Sequence, residues 1–380
     1  MASIATRGLR KTFGSRVVAL DDFGFEAADE KMTFLLGPSG AGKTTTLRLL
    51  AGLERPDEGC IEVDGRDITG LPPRDRNFAM VYDKHSLYPH LSVFENLAYP
   101  LRVRKMPEAA IRAKIAEVAE VLQIGRLLDR QPNQLSGGQM QRVAIGRALV
   151  RDANAFLLDE PISHLDAKLR AHMRVEFKKL QREFRATIIF VSHDQLEALT
   201  MADQIVVMDK GVKLQTGTPT DIYYRPANVF VASFVGEPGM NILPVNLLRE
   251  GQATLLVSES FRLAFDDGGA ASRDGFAGSR EWLMGIRPQD IEMLRPGAGE
   301  NVVEGRIFGV EELGSERIYD IELGGGGMLR VRTGLGPADG IPSGIGDPAR
   351  CRVDPRRIYL FDRANGRTAV QARFAVAGLN

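Results

Sequence analysis

The sequence is short of cysteine and of net charge, and both shortages exclude classes of protein. Only two cysteines occur in 380 residues, Cys60 and Cys351, and no metal-ligand pattern surrounds either. We therefore expect two free thiols in a reducing compartment. Lysine plus arginine number 49 and aspartate plus glutamate number 49, so the formal net charge is zero. A neutral chain is not typical of proteins that bind nucleic acid through its phosphates.

Long apolar runs are also missing. No run approaches the roughly 18 to 20 residues that a membrane-spanning helix needs, and residues 1–16 lack the apolar stretch of a secretory signal. We therefore expect a cytosolic protein that acts on a membrane only through a partner. The remaining composition is that of an ordinary globular protein, with 44% hydrophobic and 26% charged residues, and the length predicts two or three domains.

The first part of the chain alternates strand and helix patterns. Short apolar runs at 31–36, 155–158, 187–191 and 205–208 predict buried strands. The pattern from about residue 107 to residue 150 is helical, and one helix there has an apolar face made of Ile111, Ile115, Val118 and Leu122. This alternation predicts an α/β domain with a mainly parallel sheet and a helical insertion.

The pattern changes near residue 235. Glycine clusters then separate short alternating runs between residues 306 and 333, which predict β-hairpins and a small all-β module. We therefore expect two domains, residues 1–235 and residues 236–380, with a helical subdomain at about residues 86–150 in the first.

A phosphate-binding loop is the first strong motif. Its residues fit the pattern G-x-x-x-x-G-K-[ST] and are Gly37, Pro38, Ser39, Gly40, Ala41, Gly42, Lys43 and Thr44. The motif lies between the predicted strand 31–36 and a predicted helix that begins at Thr45, which is the context of a P-loop. Glycines let backbone N–H groups surround phosphate oxygens. Lys43 then reaches the β- and γ-phosphates, and the Thr44 hydroxyl ligates Mg²⁺.

Two carboxylates follow the apolar run 155–158. A strand that ends in Asp159 and Glu160 delivers both side chains to the sheet edge where ligands bind in α/β folds. Asp159 fits the magnesium-holding role of a Walker B aspartate, and Glu160 is placed to polarise an attacking water. An Asp-Glu pair after an apolar run is weak evidence for a nucleotide site by itself. It becomes strong evidence when a P-loop precedes it in the chain.

The segment 135–139 is Leu-Ser-Gly-Gly-Gln, and a predicted helix follows it. With the P-loop, the Asp-Glu pair and a later histidine, this segment resembles the nucleotide-binding subunits of ABC transporters. In that family the segment binds the γ-phosphate of an ATP held by the other subunit. The resemblance implies this role for Ser136, Gly137, Gly138 and Gln139, and the hydroxyl and amides at a helix start suit an anion.

Three more residues match the same family. Asp166, at the end of the segment 163–166, resembles the D-loop aspartate at the dimer interface. His193 resembles the switch histidine that contacts the γ-phosphate and holds the geometry of the attacking water. Phe13 lies where the family stacks an aromatic ring on adenine, and a place in the core is the alternative for this residue.

Two positions depart from the family pattern. Asp83 stands where glutamine is usual, but it still offers an oxygen to Mg²⁺ and stays among the nucleotide and metal residues. His164 stands where asparagine is common. We favour tolerated variation over the alternative, which is a pair of unlike sites formed with a second ATPase subunit. Residues 86–96 resemble the family's groove for a helix of the membrane subunits.

The resemblance extends over nearly the whole chain. Residues 218–241 resemble the hinge of carbohydrate importers such as the maltose and glycerol-3-phosphate systems, and residues 284–290 and 310–315 resemble their OB-like domain. In those proteins this domain holds the dimer together and receives regulators, and we rank the first role higher. OB folds also bind nucleic acid, but this module has few aromatic residues for base stacking, so we expect no nucleic-acid partner.

The resemblance implies the ATPase subunit of an ABC importer, and we favour a sugar, a polyol or a sugar phosphate as its solute. The motifs are not specific for the solute, because related subunits of polyamine, sulfate and iron importers carry a similar β module. Two copies would close around two MgATP, and a heterodimer with a related ATPase stays open. The expected partners are two transmembrane permease subunits and, through the complex, a solute-binding protein. These partners would hold the chain at the cytoplasmic face of the cell membrane. The alternatives are a soluble ABC ATPase and an ATP-sensing regulatory protein.

The expected site residues fall into three groups. Catalysis is assigned to Lys43, Glu160 and His193. Mg²⁺ is assigned to Thr44, Asp83 and Asp159. ATP is assigned to Phe13, Gly37, Pro38, Ser39, Gly40, Ala41, Gly42, Lys43, Thr44, Thr45, Asp83, Ser136, Gly137, Gly138, Gln139 and Asp166.

Overall fold

The computed structural model describes residues 2–14, 16–82, 87–163, 165–251, 253–265, 281–295, 299–334 and 344–372. The chain forms two compact units, Met1–Pro219 and Thr220–Asn380. This division lies before the domain boundary at residues 235–236, which stays a prediction. None of the helices in the described residues combines the length and the apolar character that a membrane span requires.

Two sheets form the first unit. One contains β1 Ile4–Phe13, β2 Val17–Ala27, β4 Glu58–Val63 and β5 Arg66–Asp67. It is antiparallel, with the order β2-β1-β4-β5. The main sheet contains β3 Met32–Leu36, β6 Phe78–Val81, β7 Ala155–Asp159, β8 Ile188–Ser192, β9 Gln204–Asp209 and β10 Val212–Gly217. Its order is β10-β9-β3-β8-β7-β6, and it is parallel except for β10.

The four predicted strands are confirmed as β3, β7, β8 and β9. Every residue of β3, β7 and β8 is buried, because a parallel sheet in an α/β fold is covered on both faces. Phe34 on β3 stacks on Phe190 of β8 with ring centroids 4.4 Å apart. Burial on both faces therefore explains the uninterrupted apolar runs.

The helices of the first unit are α1 Lys43–Ala51, α2 Pro73–Arg76, α3 Val93–Val103, α4 Glu108–Val121, α5 Gly137–Leu149, α6 Ala167–Glu183 and α7 Gln195–Met201. The described residues between β6 and β7 contain α3, α4 and α5 and no strand, which confirms the helical insertion. Ile111, Ile115 and Val118 are buried on α4, as their spacing predicts.

Arg76 is a buried charge beneath the first helix. Its side chain is only 2% exposed. The guanidinium donates to the carbonyl oxygens of Leu49 and Leu50 at 2.6 and 2.8 Å, and to those of Thr69 and Leu71 at 2.8 Å each. It therefore closes the carboxyl end of α1, where the last carbonyl groups have no partner within the helix.

We expect Arg76→Met to lower the free energy of unfolding by about 3 kcal/mol, because the variant leaves buried carbonyl groups without donors. Urea unfolding of both proteins measures the difference. Arg74→Met is the matched control, since Arg74 lies on the same short helix with its side chain 86% exposed. That control should change stability by less than about 0.5 kcal/mol. Equal effects of the two substitutions would contradict the role given to Arg76.

The second unit is built mainly from antiparallel strands. Its helices are α8 Pro219–Tyr224 and α9 Val229–Phe234. Its strands are β11 Asn241–Glu250, β12 Ala253–Val257, β13 Arg262–Phe265, β14 Trp282–Ile286, β15 Ile291–Met293, β16 Val302–Glu312, β17 Glu316–Leu323, β18 Met328–Gly334, β19 Pro348–Val353, β20 Tyr359–Asp362 and β21 Thr368–Val370. They form two sheets with the orders β13-β12-β11-β14-β20-β21 and β15-β19-β16-β17-β18. Trp282, Ile307 and Val331, which come from both sheets, share one core, and the predicted all-β module is confirmed.

Arginine–carboxylate pairs cross the strands of the second sheet. Arg330 on β18 pairs with Asp320 on β17 at 2.7 Å, and Arg350 on β19 pairs with Glu304 on β16 at 2.9 Å. Two further pairs of this kind join Arg352 with Glu292 and Arg332 with Glu316. Each pair is partly exposed and contributes little to stability by itself. Only the Arg330–Asp320 pair joins two nitrogen atoms to two carboxylate oxygens among these four.

Candidate nucleotide site

The parallel register of the main sheet brings three predicted motifs to one edge. Strands β3, β8 and β7 are neighbours, and Leu36 at the end of β3 pairs with Ser192 at the end of β8. The P-loop follows β3, Glu160 follows β7 and His193 follows β8. The carboxyl ends of parallel strands are where ligands bind in such sheets.

The P-loop has glycines that no larger residue could replace. Gly42 has a φ of 102°, and a Cβ at this position would lie 2.5 Å from the carbonyl oxygen of Ala19. A Cβ at Gly37 would lie 2.2 Å from the carbonyl oxygen of Met208. The other predicted residues here are Pro38, Ser39, Gly40 and Ala41 in the loop and Thr44 and Thr45 in the first turn of α1. Gly42 is the N-cap of α1, so no side chain caps the first amides, which suits a phosphate.

Lys43 is held inside this loop. Its side chain is 5% exposed, and Nζ donates to the carbonyl oxygens of Gly37 and Pro38 at 2.8 and 2.9 Å. Burial lowers the pKa of Lys43, whereas the carboxylates of Glu160 and Asp159 raise it. The charges of both predicted acidic residues therefore act on an ammonium group that is bound to the loop.

Thr44 and Asp159 supply oxygen atoms at the same place. The Thr44 hydroxyl donates to Asp159 Oδ1 at 3.2 Å. A hydroxyl and a carboxylate beside a phosphate-binding loop are the hard oxygen donors that Mg²⁺ prefers. The side chains present therefore fit a magnesium site.

Glu160 and His193 meet directly. His193 Nδ1 lies 3.0 Å from Glu160 Oε2. The Glu160 N–H donates to the Val191 carbonyl oxygen at 3.0 Å, and Glu160 has a φ of 45°, which is unusual for a residue with a side chain. The strands thus hold this carboxylate in a strained backbone position, as is common in functional sites. The contact supports the predicted joint role of the two side chains.

Glu197, a buried carboxyl next to this pair, is not among the predicted site residues. Ser192 Oγ donates to Glu197 Oε2 at 2.7 Å and accepts from the Asp194 N–H at 2.9 Å. Asp194 caps α7 by accepting from the N–H groups of Leu196 and Glu197. The acidic residue three places after a capping aspartate could have indicated it. Glu197 and Asp194 hold the backbone on both sides of His193.

Burial raises the pKa of Glu197 to about 7, and Asp194 adds to the rise. The hydrogen bond from Ser192 and the charges of Arg170 and Arg174 oppose it. Because the folded pKa lies above the ordinary value of 4.5, the stability that protonated Glu197 contributes is fully present below that value. It is lost as the pH rises through about 7.

We therefore expect Glu197→Gln to become more stable than the original protein as the pH rises. Glutamine keeps an acceptor for Ser192 and does not ionise, so the difference should grow from near zero at about pH 4 to on the order of 3 kcal/mol at about pH 8. Urea unfolding at a series of pH values measures it. Glu183→Gln, an exposed change on α6, is the control and should show a constant difference. Parallel curves for Glu197→Gln would contradict the raised pKa.

The residues of the 135–139 segment lie at the start of α5. Ser136 Oγ accepts from the Gln139 N–H at 3.4 Å, and Gln139 Oε1 accepts from the Ser136 N–H at 3.0 Å. Ser136 and Gly137 are exposed, and a Cβ at Gly138 would lie 2.7 Å from Leu169 Cδ2. This capping box leaves the hydroxyl of Ser136 at the surface, where a second molecule can reach it.

The remaining predicted residues lie in three places. Asp166 is exposed and caps α6 by accepting from the Leu169 N–H at 2.9 Å. Phe13 ends β1 with its ring exposed and with Lys11 Nζ 5.4 Å from the ring centroid, so it does not belong to the core. Asp83 and His164 lie outside the described residues.

The fold and the site together define an ABC-type nucleotide-binding domain joined to an OB-like β domain. A model of the ABC transporter family matches residues 20–163, and a model of the TOBE domain matches residues 284–361. The dimeric structure of MJ0796, a bacterial ABC transporter cassette, matches with a TM-score of 0.53 and 29% identity over 57% of this chain and 98% of that one. The same cassette bound to ADP and Pi, in a post-hydrolysis state, matches with a TM-score of 0.53 and 28% identity.

Curated relatives match over almost the whole chain. The trehalose/maltose import ATP-binding protein MalK of Thermococcus litoralis is 42% identical over 97% of this chain and 99% of its own length. The sn-glycerol-3-phosphate import ATP-binding protein UgpC is 43% identical in Rhodopseudomonas palustris strain BisA53 and 40% identical in Burkholderia pseudomallei strain 1710b. Each covers 97% of this chain and 100% of its own length. The chain belongs to the ATP-binding subunits of ABC importers and is an ATPase of that class.

Proposed function

We propose that this chain hydrolyses ATP to drive the import of a sugar, a polyol or a sugar phosphate. The meeting of Lys43, Thr44, Asp159, Glu160 and His193 at one edge of the main sheet carries the proposal. The relatives named for trehalose, maltose and sn-glycerol-3-phosphate, which match over 97% of the chain, support the solute class.

Two copies close head to tail around two ATP molecules. In each site, Lys43 and the first amides of α1 from one copy hold the phosphates, and Phe13 stacks on the adenine. Ser136 and Gly138, at the start of α5, come from the other copy. Asp166 lies at the seam. The exposure of Ser136 and Asp166 supports contacts with a second copy.

Hydrolysis relies on positioned charges, as in other phosphoryl transfers. Glu160 accepts a hydrogen bond from the attacking water and takes up its proton, while His193 holds the carboxylate in place. Lys43 offsets the negative charge that develops on the phosphate. Mg²⁺, bound by Thr44 and Asp159 and by the oxygen of Asp83, would withdraw charge from the phosphate oxygens. Reopening of the dimer after hydrolysis resets the transporter.

The proposed partners are two transmembrane permease subunits, with a solute-binding protein reached through the complex. They would hold the chain at the cytoplasmic face of the cell membrane. We favour two identical ATPase subunits over a pair of related ones. The second unit would hold the two copies together, and a regulator-binding role is secondary.

Affinity purification from mild-detergent membrane extracts of the native host tests this proposal. We expect two polytopic membrane proteins to co-purify with the tagged chain. The identity of these proteins, and of any solute-binding protein that co-purifies, would narrow the range of candidate solutes. If a second ATPase subunit co-purifies, the complex contains a heterodimer of ATPase subunits and not a homodimer. Recovery in the soluble fraction alone, or with ribosomal or DNA-processing proteins, would overturn the importer proposal.

Asp83→Gln tests the departure from the family pattern. We expect the variant to keep ATPase activity and solute uptake within about twofold, because aspartate and glutamine both offer an oxygen to Mg²⁺. Uptake and ATPase activity are measured together in proteoliposomes that contain the purified complex. Loss of uptake with retained ATPase activity would show that the aspartate is matched to its membrane partner.

A further inference from the structure

A closed ring of contacts joins the two loops that carry Glu160 and His193. Their side chains meet at 3.0 Å on one side of the ring. On the other side, the turn after Glu160 leads through Leu165 into α6, where Arg170 Nη2 donates to the Leu165 carbonyl oxygen at 3.3 Å. Arg170 Nη1 lies 3.6 Å from Asp194 Oδ2. Because Asp194 directly follows His193, the ring returns to its starting point.

Two described residues of the D-loop segment, Ser163 and Asp166, form hydrogen bonds with members of this ring. The Ser163 hydroxyl donates to the Glu160 carbonyl oxygen at 2.9 Å. The Arg170 N–H donates to the carbonyl oxygen of Asp166 at 2.8 Å within the first turn of α6. Arg170 therefore lies in the first turn of α6, next to the residue that caps this helix, and its side chain reaches from there to Asp194.

The surroundings of Arg170 differ from those of a surface ion pair. Its side chain is 33% exposed and that of Asp194 is 24% exposed, and Arg170 Nε is buried without a hydrogen-bond partner. The two carboxylate oxygens of Asp194 have different partners. Oδ1 accepts from the Leu196 N–H at 2.8 Å, and Oδ2 lies 3.6 Å from Arg170 Nη1. The Arg170 charge also acts on Glu197, which holds Ser192 on the other side of His193. One guanidinium thus pairs with Asp194 and acts electrostatically on Glu197.

We propose that Arg170 is a positioning residue that fixes the His193 loop against the D-loop of the same subunit, so that His193 keeps Glu160 aligned for hydrolysis. The proposal rests on the proposed function, because it requires Glu160 and His193 to align the attacking water. Arg170 contacts neither of these side chains and acts through the Leu165 carbonyl group and Asp194.

Arg170→Met should lower kcat for ATP by about tenfold or more, because small misplacements of catalytic groups cost that much. The KM for ATP should change by less than about twofold, since the nucleotide contacts stay intact. Arg170→Lys should restore part of the rate by restoring the charge beside Asp194. Lys179→Met is the matched control, because Lys179 lies exposed on the same helix and pairs with the exposed Glu183. It should keep kcat within about twofold.

Asp194→Asn tests the other member of the Arg170–Asp194 ion pair. Asparagine still caps α7, so this variant removes the charge and keeps the helix start. We expect the same fall in kcat without a change in KM. Thermal unfolding midpoints of all variants separate loss of rate from loss of fold. Normal turnover in either Arg170→Met or Asp194→Asn would overturn the proposal.

A double-mutant cycle separates this proposal from the proposed function. If Arg170 acts through His193, the double variant Arg170→Met/His193→Ala should have the same kcat as His193→Ala alone. A double variant whose loss of kcat is the product of the two single losses would overturn the positioning role. Normal turnover in His193→Ala alone would instead remove His193 from the proposed function. A slow His193→Ala together with a normal Arg170→Met would reject only the inference about Arg170.

Discussion

Glu160→Gln is expected to yield a protein that binds ATP and hydrolyses it at least about 100-fold more slowly, the usual contribution of a general base. Glutamine keeps the shape of the side chain and can still contact His193 at the present 3.0 Å, but it cannot take up a proton. Binding should survive because Lys43 and the P-loop are unchanged. The ATP-bound variant should therefore accumulate as a closed dimer.

Two measurements check this result. Steady-state phosphate release gives the rate, and gel filtration with and without MgATP gives the dimer. Glu183→Gln makes the same change at an exposed position of α6 and should behave like the original protein. A Glu160→Gln protein with ordinary turnover would remove Glu160 from the mechanism.

Lys43→Ala is expected to weaken ATP binding by about 100-fold or more, since charge-assisted hydrogen bonds to phosphate are lost. The ammonium group is buried and already turned toward the loop, where it donates to Gly37 and Pro38. Lys43→Met keeps the packing of the side-chain stem and should lose binding equally. A fluorescent ATP analogue titrated in the presence of Mg²⁺ measures the affinity.

The control for this pair is Lys213→Ala, an exposed lysine on β10 of the same unit. It should bind the analogue normally. The unfolding midpoint without nucleotide should be similar for Lys43→Met and the original protein, which would separate loss of affinity from loss of fold. Normal affinity in both Lys43 variants would contradict the P-loop assignment.

The buried strands of the main sheet could be predicted from the sequence, whereas the partly exposed strands of the antiparallel sheet could not. Strands β3 and β8 are buried on both faces and leave continuous apolar runs in the sequence. Strands β1 and β2 mix buried and exposed residues, and register shifts interrupt their pairing. Such irregularities break the alternation that marks a half-buried strand. Neither strand was predicted for this reason.

The same distinction applies to the site. The P-loop and Asp159–Glu160 lie in continuous segments whose pattern contains the chemistry. Arg76 and Arg170 have no such pattern, because their roles come from carbonyl groups and carboxylates that folding brings to them. An isolated arginine in a sequence is typical of a solvated surface, and only the folded chain distinguishes these two.

The cationic side chains of the second unit are all arginines, because no lysine or histidine follows Lys213 in the chain. Amine-directed reagents such as succinimidyl esters will therefore label the first unit and spare the second. In a dimer trapped with ATP, an amine-to-amine cross-link between copies would report contacts of the first units only. Arginine-directed dicarbonyl reagents would modify the second unit as well. Residues that either reagent fails to modify in the ATP-trapped dimer would therefore report contacts between copies separately for the two units.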